Sequence, residues 1–325
     1  LIDAERGRAE LRRWLKRLGR VFDLDAVLRA PLDAATVVDY YERNHAAYRR
    51  FHSSEGAVHM ALNADGRFDA QGFAAPLERI EARWRERAAQ GDAVHDVLEL
   101  AFGQGYNLGW LVPRHAGMRF QGIDLTPAHV ALAQERLAAW PAERVQLLQG
   151  DFHHLPQADA RFDAAYCIES MCHASDLDRA LGEAARVLRA GGELTLYDGY
   201  LPRPLEALQP EEQLAVQLVA RGLAVERMQT VAALLQAARR HGLALMTMNV
   251  LDREIMPNLL RLQRITGAFV RWPWFARRAL ARRPAARSRN VLAGCLMHAT
   301  FGMGLLSYRQ IVLRKGMAPA GEAAR

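Results

Sequence analysis

Three groups of residues in this chain of 325 have the types and spacing to do chemistry. The first is Glu99-Leu100-Ala101-Phe102-Gly103-Gln104-Gly105, where an apolar run of strand length, Val97 to Ala101, carries one acid and gives way to glycines. An acid there repels phosphate and attracts a cation, while glycines let the backbone turn sharply where a Cβ would collide with a ligand. The second is Asp124 in Gln121-Gly122-Ile123-Asp124-Leu125, which ends a second strand with an acid about twenty residues on. An acid at that spacing takes a ribose diol in a doubly wound sheet. The third is Tyr166-Cys167-Ile168-Glu169-Ser170-Met171-Cys172-His173-Ala174. Core-like Ile168 and Met171 flank Glu169, so a solvated surface acid is a poor account of it. Its readings are an acid or base, a ligand for the cofactor's amino end, or a helix cap. His173 follows one helical turn later, either as its partner or as a structural histidine.

The first two groups together describe a site for a nucleoside cofactor. Gly150-Asp151-Phe152 adds to it: at the end of a third strand an Asp accepts from an adenine amino group and an aromatic ring stacks on the base, or the three residues are a plain turn. His153 and His154 are adjacent, so they do not share a face for a metal, and they read as loop residues within reach of substrate. Cys167, Cys172 and Cys295 have neither metal-ligand spacing nor a disulfide framework, which suits a reducing cytoplasm. No metal site is expected.

The elements that must hold these residues follow from periodicity. Val94 to Leu100, Met118 to Asp124, Val145 to Leu148 and Phe162 to Ile168 read as strands. Gly105 to Arg114, Pro127 to Trp140 and Leu177 to Arg189 read as helices between or after them. The alternation predicts a parallel sheet covered on both faces. A turn at Ala190-Gly191-Gly192 leads to a strand from Glu193 to Tyr197. Beyond Pro202 and Pro204, helical interruptions at Glu206 to Leu223 and Glu254 to Arg289 surround a helix, Val231 to Arg240, and a strand, Leu243 to Val250. The last strand is expected over Leu306 to Leu313. Upstream, Ile2 to Arg29 and Ala34 to Arg50 read as helices, and Phe51 to Met60, polar and broken by Gly56, as a loop or lid crossing the cofactor.

Composition sets the bounds. Half the residues are hydrophobic and 24% charged, as in an ordinary globular protein. Net charge is +7, which favours anionic partners. The opening Leu1-Ile2-Asp3-Ala4-Glu5-Arg6 lacks the apolar core of a signal peptide. The longest nearly apolar run, Val291 to Leu306, falls short of the roughly 18 to 20 residues that span a bilayer.

The segment Glu99 to Gly105 resembles the first motif of class I S-adenosylmethionine-dependent methyltransferases, acid-x-Gly-x-Gly-x-Gly, with Ala101 in place of the first glycine. Arg-Val-Leu-Arg-Ala-Gly-Gly resembles their helix-to-strand joint. Tyr-x-Ile-Glu-x-x-x-His-Ala resembles the motif of sterol C-24 methyltransferases, and prenyl diphosphate C-methyltransferases place a Glu similarly. Tyr40-Tyr41-Glu42 and Gly56-Ala57-Val58-His59-Met60 resemble those enzymes' Tyr-Tyr and Ser-Phe-His-Phe segments, with Val58 and Met60 replacing phenylalanines. The likeness covers roughly Val37 to Asp198.

That resemblance implies an α/β, Rossmann-like seven-stranded class I methyltransferase sheet with its last strand antiparallel, N-terminal helices and helical lid insertions. It divides the chain into an N-terminal helical cap and cofactor lid (1–90), the cofactor-binding core (91–200), and helical substrate-cap insertions with the remaining strands (201–325). S-adenosyl-L-methionine is the implied cofactor, bound through Glu99, Ala101, Gly103, Gly105, Asp124, Leu125, Asp151, Phe152, Glu169 and His59. The implied reaction is C-methylation of an alkene on a hydrophobic, terpenoid-type acceptor through a carbocation, with Glu169, His173 and Tyr41 catalytic. An oxygen or nitrogen methyltransferase for a small natural product is the alternative enzyme. A cofactor-binding scaffold that transfers nothing is the alternative of another class.

One segment falls outside that scheme. From Arg261 to Arg289 the chain holds Arg264, Arg271, Trp272, Pro273, Trp274, Phe275, Arg277, Arg278, Arg282, Arg283 and Arg287, and no acid occurs between Glu254 and Glu322. It reads as a peripheral membrane contact through Trp272, Trp274 and nearby arginines, as a solvated cap helix, or as a pyrophosphate clamp. No binding motif for nucleic acid accompanies the charge.

Overall fold

The computed structural model describes residues 3–280 and 285–316. Three helices open the chain: α1 (Ala4–Gly19), α2 (Leu24–Arg29) and α3 (Ala34–Ala47). The first stretch is two helices and not one, because Asp23 accepts the backbone N–H of Ala26 and starts a fresh helix just after buried Val21. A π-helical turn, Tyr48–His52, follows α3. Then come α4 (Ala75–Ala89), β1 (Asp96–Leu100), α5 (Tyr106–Leu111), β2 (Arg119–Asp124), α6 (Pro127–Leu137), β3 (Val145–Gln149), β4 (Phe162–Ile168), α7 (Leu177–Val187) and β5 (Leu188–Tyr200). The remainder is α8 (Pro210–Gly222), α9 (Val231–Arg240), β6 (Leu243–Val250), α10 (Asp252–Phe269), α11 (Pro273–Leu280), α12 (Ala285–Gly302) and β7 (Ser307–Lys315).

The seven strands form one sheet in the order β3-β2-β1-β4-β5-β7-β6, and its last strand runs antiparallel, as expected. The neighbours from β3 across to β5 pair in parallel. Central β1 is buried along its whole length, which is why its sequence does not alternate. The glycine pair after α7 does not separate helix from strand. Strand β5 begins at Leu188, and Gly191 and Gly192 lie in a bulge: Phe162 pairs with Leu188, but Ala164 pairs with Glu193. The extra residues on β5 are absorbed at Gly191, which has a φ of 78°.

The chain folds into two compact units, each assembled from separated segments. One contains Leu77–Tyr197, Ala232–Asn249 and Gln310–Arg325 and holds most of the sheet. Its strand starts are tied by Asp96, only 1% exposed, which accepts from Arg119, Arg161 and Arg189. Burial opposes ionisation there, yet the hydrogen bonds from Arg119, Arg189 and Arg161 hold its carboxyl well below the usual range.

The other unit contains Leu1–Pro76, Asp198–Val231 and Val250–Arg309 and is helical. Small residues bring its helices together: a Cβ on Gly294 of α12 would lie 2.5 Å from Thr266 of α10, and one on Gly222 of α8 would lie 2.8 Å from the Ala293 nitrogen. Phe51 to Met60 belongs to this unit and is irregular apart from the turn ending at His52, as its composition predicts. It is not a solvated loop, however. His52, Ser53, Ala57, His59 and Met60 are all buried, and local bonds satisfy their polar atoms: His52 Nε2 meets the His59 carbonyl at 2.8 Å, and Ser53 Oγ accepts from Ala57 N at 3.2 Å.

Candidate active site

Parallel strands bring their C-terminal ends to one edge of a sheet. At that edge of the sheet unit stand the residues after β1, β2, β3 and β4 that the sequence marks as chemical. Glu99, one residue from the end of β1, is only 1% exposed. Its two carboxyl oxygens meet Asn107 Nδ2 at 2.7 Å and the Tyr166 hydroxyl at 2.9 Å. Burial pushes Glu99 up to about 8; the bonds from Asn107 and Tyr166 pull the other way, and the negative charge of Asp124 adds to the rise. At neutral pH the carboxyl therefore holds its proton. Asn107 and Tyr166 are the partners that sequence reasoning missed. Asn107 left a trace, as the one polar side chain in Tyr106–Leu111. Tyr166 stood in the motif around Glu169, but nothing local tied it to Glu99, because only the pairing of β1 with β4 sets the two opposite each other.

The loop after β1 is built around Asp124. Gly103 N donates to Asp124 Oδ2 and Thr126 N to Oδ1, both at 2.8 Å, while Ala101 N reaches the Ile123 carbonyl at 2.7 Å. Asp124, expected from the sequence to hold a ribose, is in this structure the clamp that shapes the glycine loop, with His129 Nδ1 3.4 Å from Oδ1. Asp124 is 5% exposed, and Leu125 beside it is half-buried. Ala101, where the resembled motif has glycine, takes a left-handed φ of 59° all the same. Gly105 has a φ of 73°, and a Cβ there would sit 2.8 Å from Ala133 Cβ. Its glycine is required by the approach of α6, a different reason from the ligand clearance its sequence position suggests.

Asp151 and Phe152 follow β3 in the order expected. Asp151 Oδ1 accepts from His153 N at 2.9 Å and lies 2.5 Å from His153 Nδ1, so this carboxylate first organises its own turn. The ring of Phe152 lies 4.8 Å from that of His153. His153 is buried and its carbonyl accepts from Arg179 Nε, which makes it a fixture of the loop.

The segment leaving β4 is the most unusual in backbone terms. Glu169 has a φ of 52°, a left-handed conformation that a glutamate adopts at a cost of ~1 to 2 kcal/mol. Its N–H donates to the Tyr197 carbonyl at 2.7 Å, and its side chain is half-buried. It does not cap α7, because Asp176 does so by accepting from Arg179 N at 3.0 Å. His173 ends a short 3-10 turn, Met171–His173, and is half-buried in the same segment.

Tyr41 and His59 belong to the helical unit. Tyr41 lies on α3, half-buried, with its ring 5.0 Å from Tyr40 edge-on and 6.4 Å from Tyr48. His59 is 1% exposed, 3.2 Å from the Met60 carbonyl through Nδ1 and 6.1 Å from the Phe73 ring. Beside it burial lowers His52 to about 4, so that ring is neutral at physiological pH.

The residues at the strand ends fit a cationic nucleoside. Asp124 beside Glu99, whose burial makes it ready to give up its proton to a nearby positive charge, suits a cation better than a phosphate at these strand ends. In the same loop the Gln104 side chain is 4% exposed and its Nε2 has no hydrogen-bond partner among the described residues, leaving a buried donor to be satisfied. No group of three or more potential metal ligands occurs among the described residues.

Comparison with known proteins agrees with this chemistry. Residues 98–196 match the family model described as Methyltransferase domain. The chain is 33% identical over 163 residues to the methyltransferase GfsG of Streptomyces halstedii, covering 50% of this chain and 57% of that protein. It is 33% identical over 130 residues to 24-methylenesterol C-methyltransferase 2 of rice, Oryza sativa subsp. japonica, covering 39% and 35%. The chain thus spans about half the length, or less, of these curated relatives. Among solved structures, geranyl diphosphate C-methyltransferase from Streptomyces coelicolor A3(2), with Mg2+, geranyl diphosphate and S-adenosyl-L-homocysteine, aligns with a TM-score of 0.56 at 15% identity, covering 85% of this chain and 97% of that one. At that identity the likeness concerns the fold, which is that of the class I methyltransferases.

Proposed function

We propose that this chain, whose residues 98–196 are a methyltransferase domain, is an S-adenosyl-L-methionine-dependent C-methyltransferase acting on an alkene carbon of a hydrophobic, terpenoid-type acceptor. The cofactor supplies an electrophilic methyl group on a sulfonium. Glu99, Ala101, Gly103, Gly105, Asp124 and Leu125 would hold its amino acid and ribose parts, Asp151 and Phe152 its adenine, with Glu169 as a further contact.

The observation that carries the reading is Glu169. A half-buried carboxylate in a strained left-handed conformation, with no helix to cap, is maintained against its cost by the surrounding structure. An alkene is a weak nucleophile, so its methylation requires close alignment and exclusion of water while positive charge develops on the acceptor. A fixed carboxylate offsets that charge. It also takes the proton whose loss restores a double bond. His173 is the group assigned to pass that proton on.

The test is incubation with methyl-labelled S-adenosyl-L-methionine and a panel of sterols, squalene, prenyl diphosphates and phenols, followed by mass spectrometry. A terpenoid product heavier by one methylene, whose formation falls more than about a hundredfold in E169Q while cofactor affinity holds, is the expected result. Methylation of phenols alone would replace the carbocation route with deprotonation of a heteroatom, and full turnover by E169Q would remove Glu169 from the reaction.

A further inference from the structure

The aromatic and basic residues of α11 take no part in the site described above. Trp272 is 67% exposed, Trp274 75% and Phe275 59%, so three large rings within four residues face solvent. Burying them elsewhere would be favourable by ~1.5 to 3 kcal/mol each, so a folded chain that leaves them out has a use for them. Arg271, Arg277 and Arg278 are exposed among them, and the Arg271 guanidinium lies 5.9 Å from the Trp272 ring.

Helical geometry orders this set. At about 100° per residue, Trp274, Phe275, Arg277 and Arg278 fall within an arc of about 160°, and Ala276, which is buried, points the opposite way. Rings and cations therefore share one face. The acids of the preceding helix, Asp252 and Glu254, lie in its first turn, and α10 runs 18 residues, about 27 Å, before reaching Trp272. That exceeds two Debye lengths at physiological salt, so these acids do not cancel the positive charge of α11. Further cations stand beside the last turns of α10. A Cβ on Gly267 would lie 2.7 Å from the Trp14 ring of α1, and Arg17 reaches 5.3 Å from that same ring with its side chain exposed. Arg282 and Arg283 lie outside the described residues.

We propose that this face of the helical unit docks on an anionic phospholipid bilayer, with Trp272, Trp274 and Phe275 seated at the headgroup level and Arg271, Arg277 and Arg278 meeting lipid phosphates. Indole rings favour that depth, and arginines there gain from both the surface potential and bidentate phosphate contact. The contact is peripheral, since no helix among the described residues is long and apolar enough to cross a membrane. Acidic proteins and duplex nucleic acid match the arginines but leave three solvent-facing rings unexplained, and single-stranded nucleic acid, whose bases can stack on such rings, is separated by the test below. This docking stands apart from the methyl-transfer reading, which could fail without affecting it.

Vesicle flotation decides it, with the full chain and vesicles of phosphatidylcholine alone or mixed with phosphatidylglycerol, at low and high salt. The chain should float with the anionic vesicles at low salt and be released at high salt. R277Q/R278Q should bind about 25-fold more weakly, at about fivefold per charge. W272S/W274S/F275S should lose binding and, with it, the quenching of tryptophan emission by brominated lipid. Circular dichroism and cofactor titration show that each variant is folded. Equal flotation with neutral and anionic vesicles, or wild-type binding by the folded triple variant, overturns the proposal. So does capture of an oligonucleotide or acidic protein through Arg277 and Arg278 without any binding to vesicles.

Discussion

Replacing Glu99 by Gln should separate two roles that one carboxyl carries. In the folded chain Glu99 titrates at about 8, against an ordinary value of 4.5, because burial disfavours its charge. The folded state thus holds a proton that the unfolded state releases, and stability falls as pH rises from about 4.5 to about 8. The difference of 3.5 pH units corresponds to about 5 kcal/mol, an upper figure because the site relaxes and admits water. Gln has the shape of the protonated acid: its oxygen accepts from Asn107 Nδ2, and its amide faces the Tyr166 oxygen after that hydroxyl turns. E99Q should therefore match the wild type in thermal unfolding at pH 5 and surpass it at pH 8.5, by up to ~10 °C at ~2 °C per kcal/mol. Cofactor binding should show the reverse. At pH 7 about nine-tenths of the wild-type carboxyl is protonated, and a bound sulfonium and ammonium would expel most of that proton. Isothermal titration in phosphate and in Tris reads the release as a heat that depends on the buffer. E99Q should lack that difference and bind 10- to 100-fold more weakly. Parallel melting curves across pH 5 to 8.5, or identical buffer dependence in the two proteins, would refute the assignment of Glu99 as counter-charge.

The backbone at two positions yields further expectations. Because Glu169 is left-handed, E169G should be more stable than E169A by ~1 kcal/mol in urea unfolding, although both lack turnover. Equal stability would remove the strain argument. At Ala101, also left-handed, A101G should raise stability by ~1 kcal/mol without weakening cofactor binding, and a loss in either would mean that its methyl group packs on something required.

Glu99, Gly103, Gly105 and Asp124 could be found in the sequence because local chemistry constrains them: an acid ending a strand, glycines at a turn, and a second acid at a fixed distance. Strands β1 and β4 were readable as short, largely apolar runs, and β2 by its place between two helical stretches and the acid that ends it. What escaped notice depends on partners distant in sequence. Tyr166 is 67 residues from Glu99, and only the register of β1 against β4 makes it a hydrogen-bond donor to that acid. Gly105 was recognised as necessary but for a different cause, because Ala133 on α6 is its neighbour. Phe51 to Met60 is irregular, as expected, but its composition did not announce its burial: His52, Ser53 and His59 are polar by type, yet each finds a hydrogen-bond partner within a few residues, and a polar segment so satisfied can be buried. The bulge at Gly191 and Gly192 shows a related limit: two glycines mark a backbone irregularity without saying whether helix, turn or strand contains it.

The order in which segments enter the sheet has a consequence for synthesis. The chain passes between its two units at 76/77, 197/198, 231/232, 249/250 and 309/310, and the strand that neighbours β5 is the last one, Ser307–Lys315. While the ribosome is still translating the intervening hundred or so residues, β5 presents an unpaired edge of thirteen residues to every other chain nearby. A fragment cut at residue 196, where the matched domain stops, would keep that edge permanently open. Such a fragment should aggregate more readily than the intact chain, as light scattering of the two at equal concentration would show.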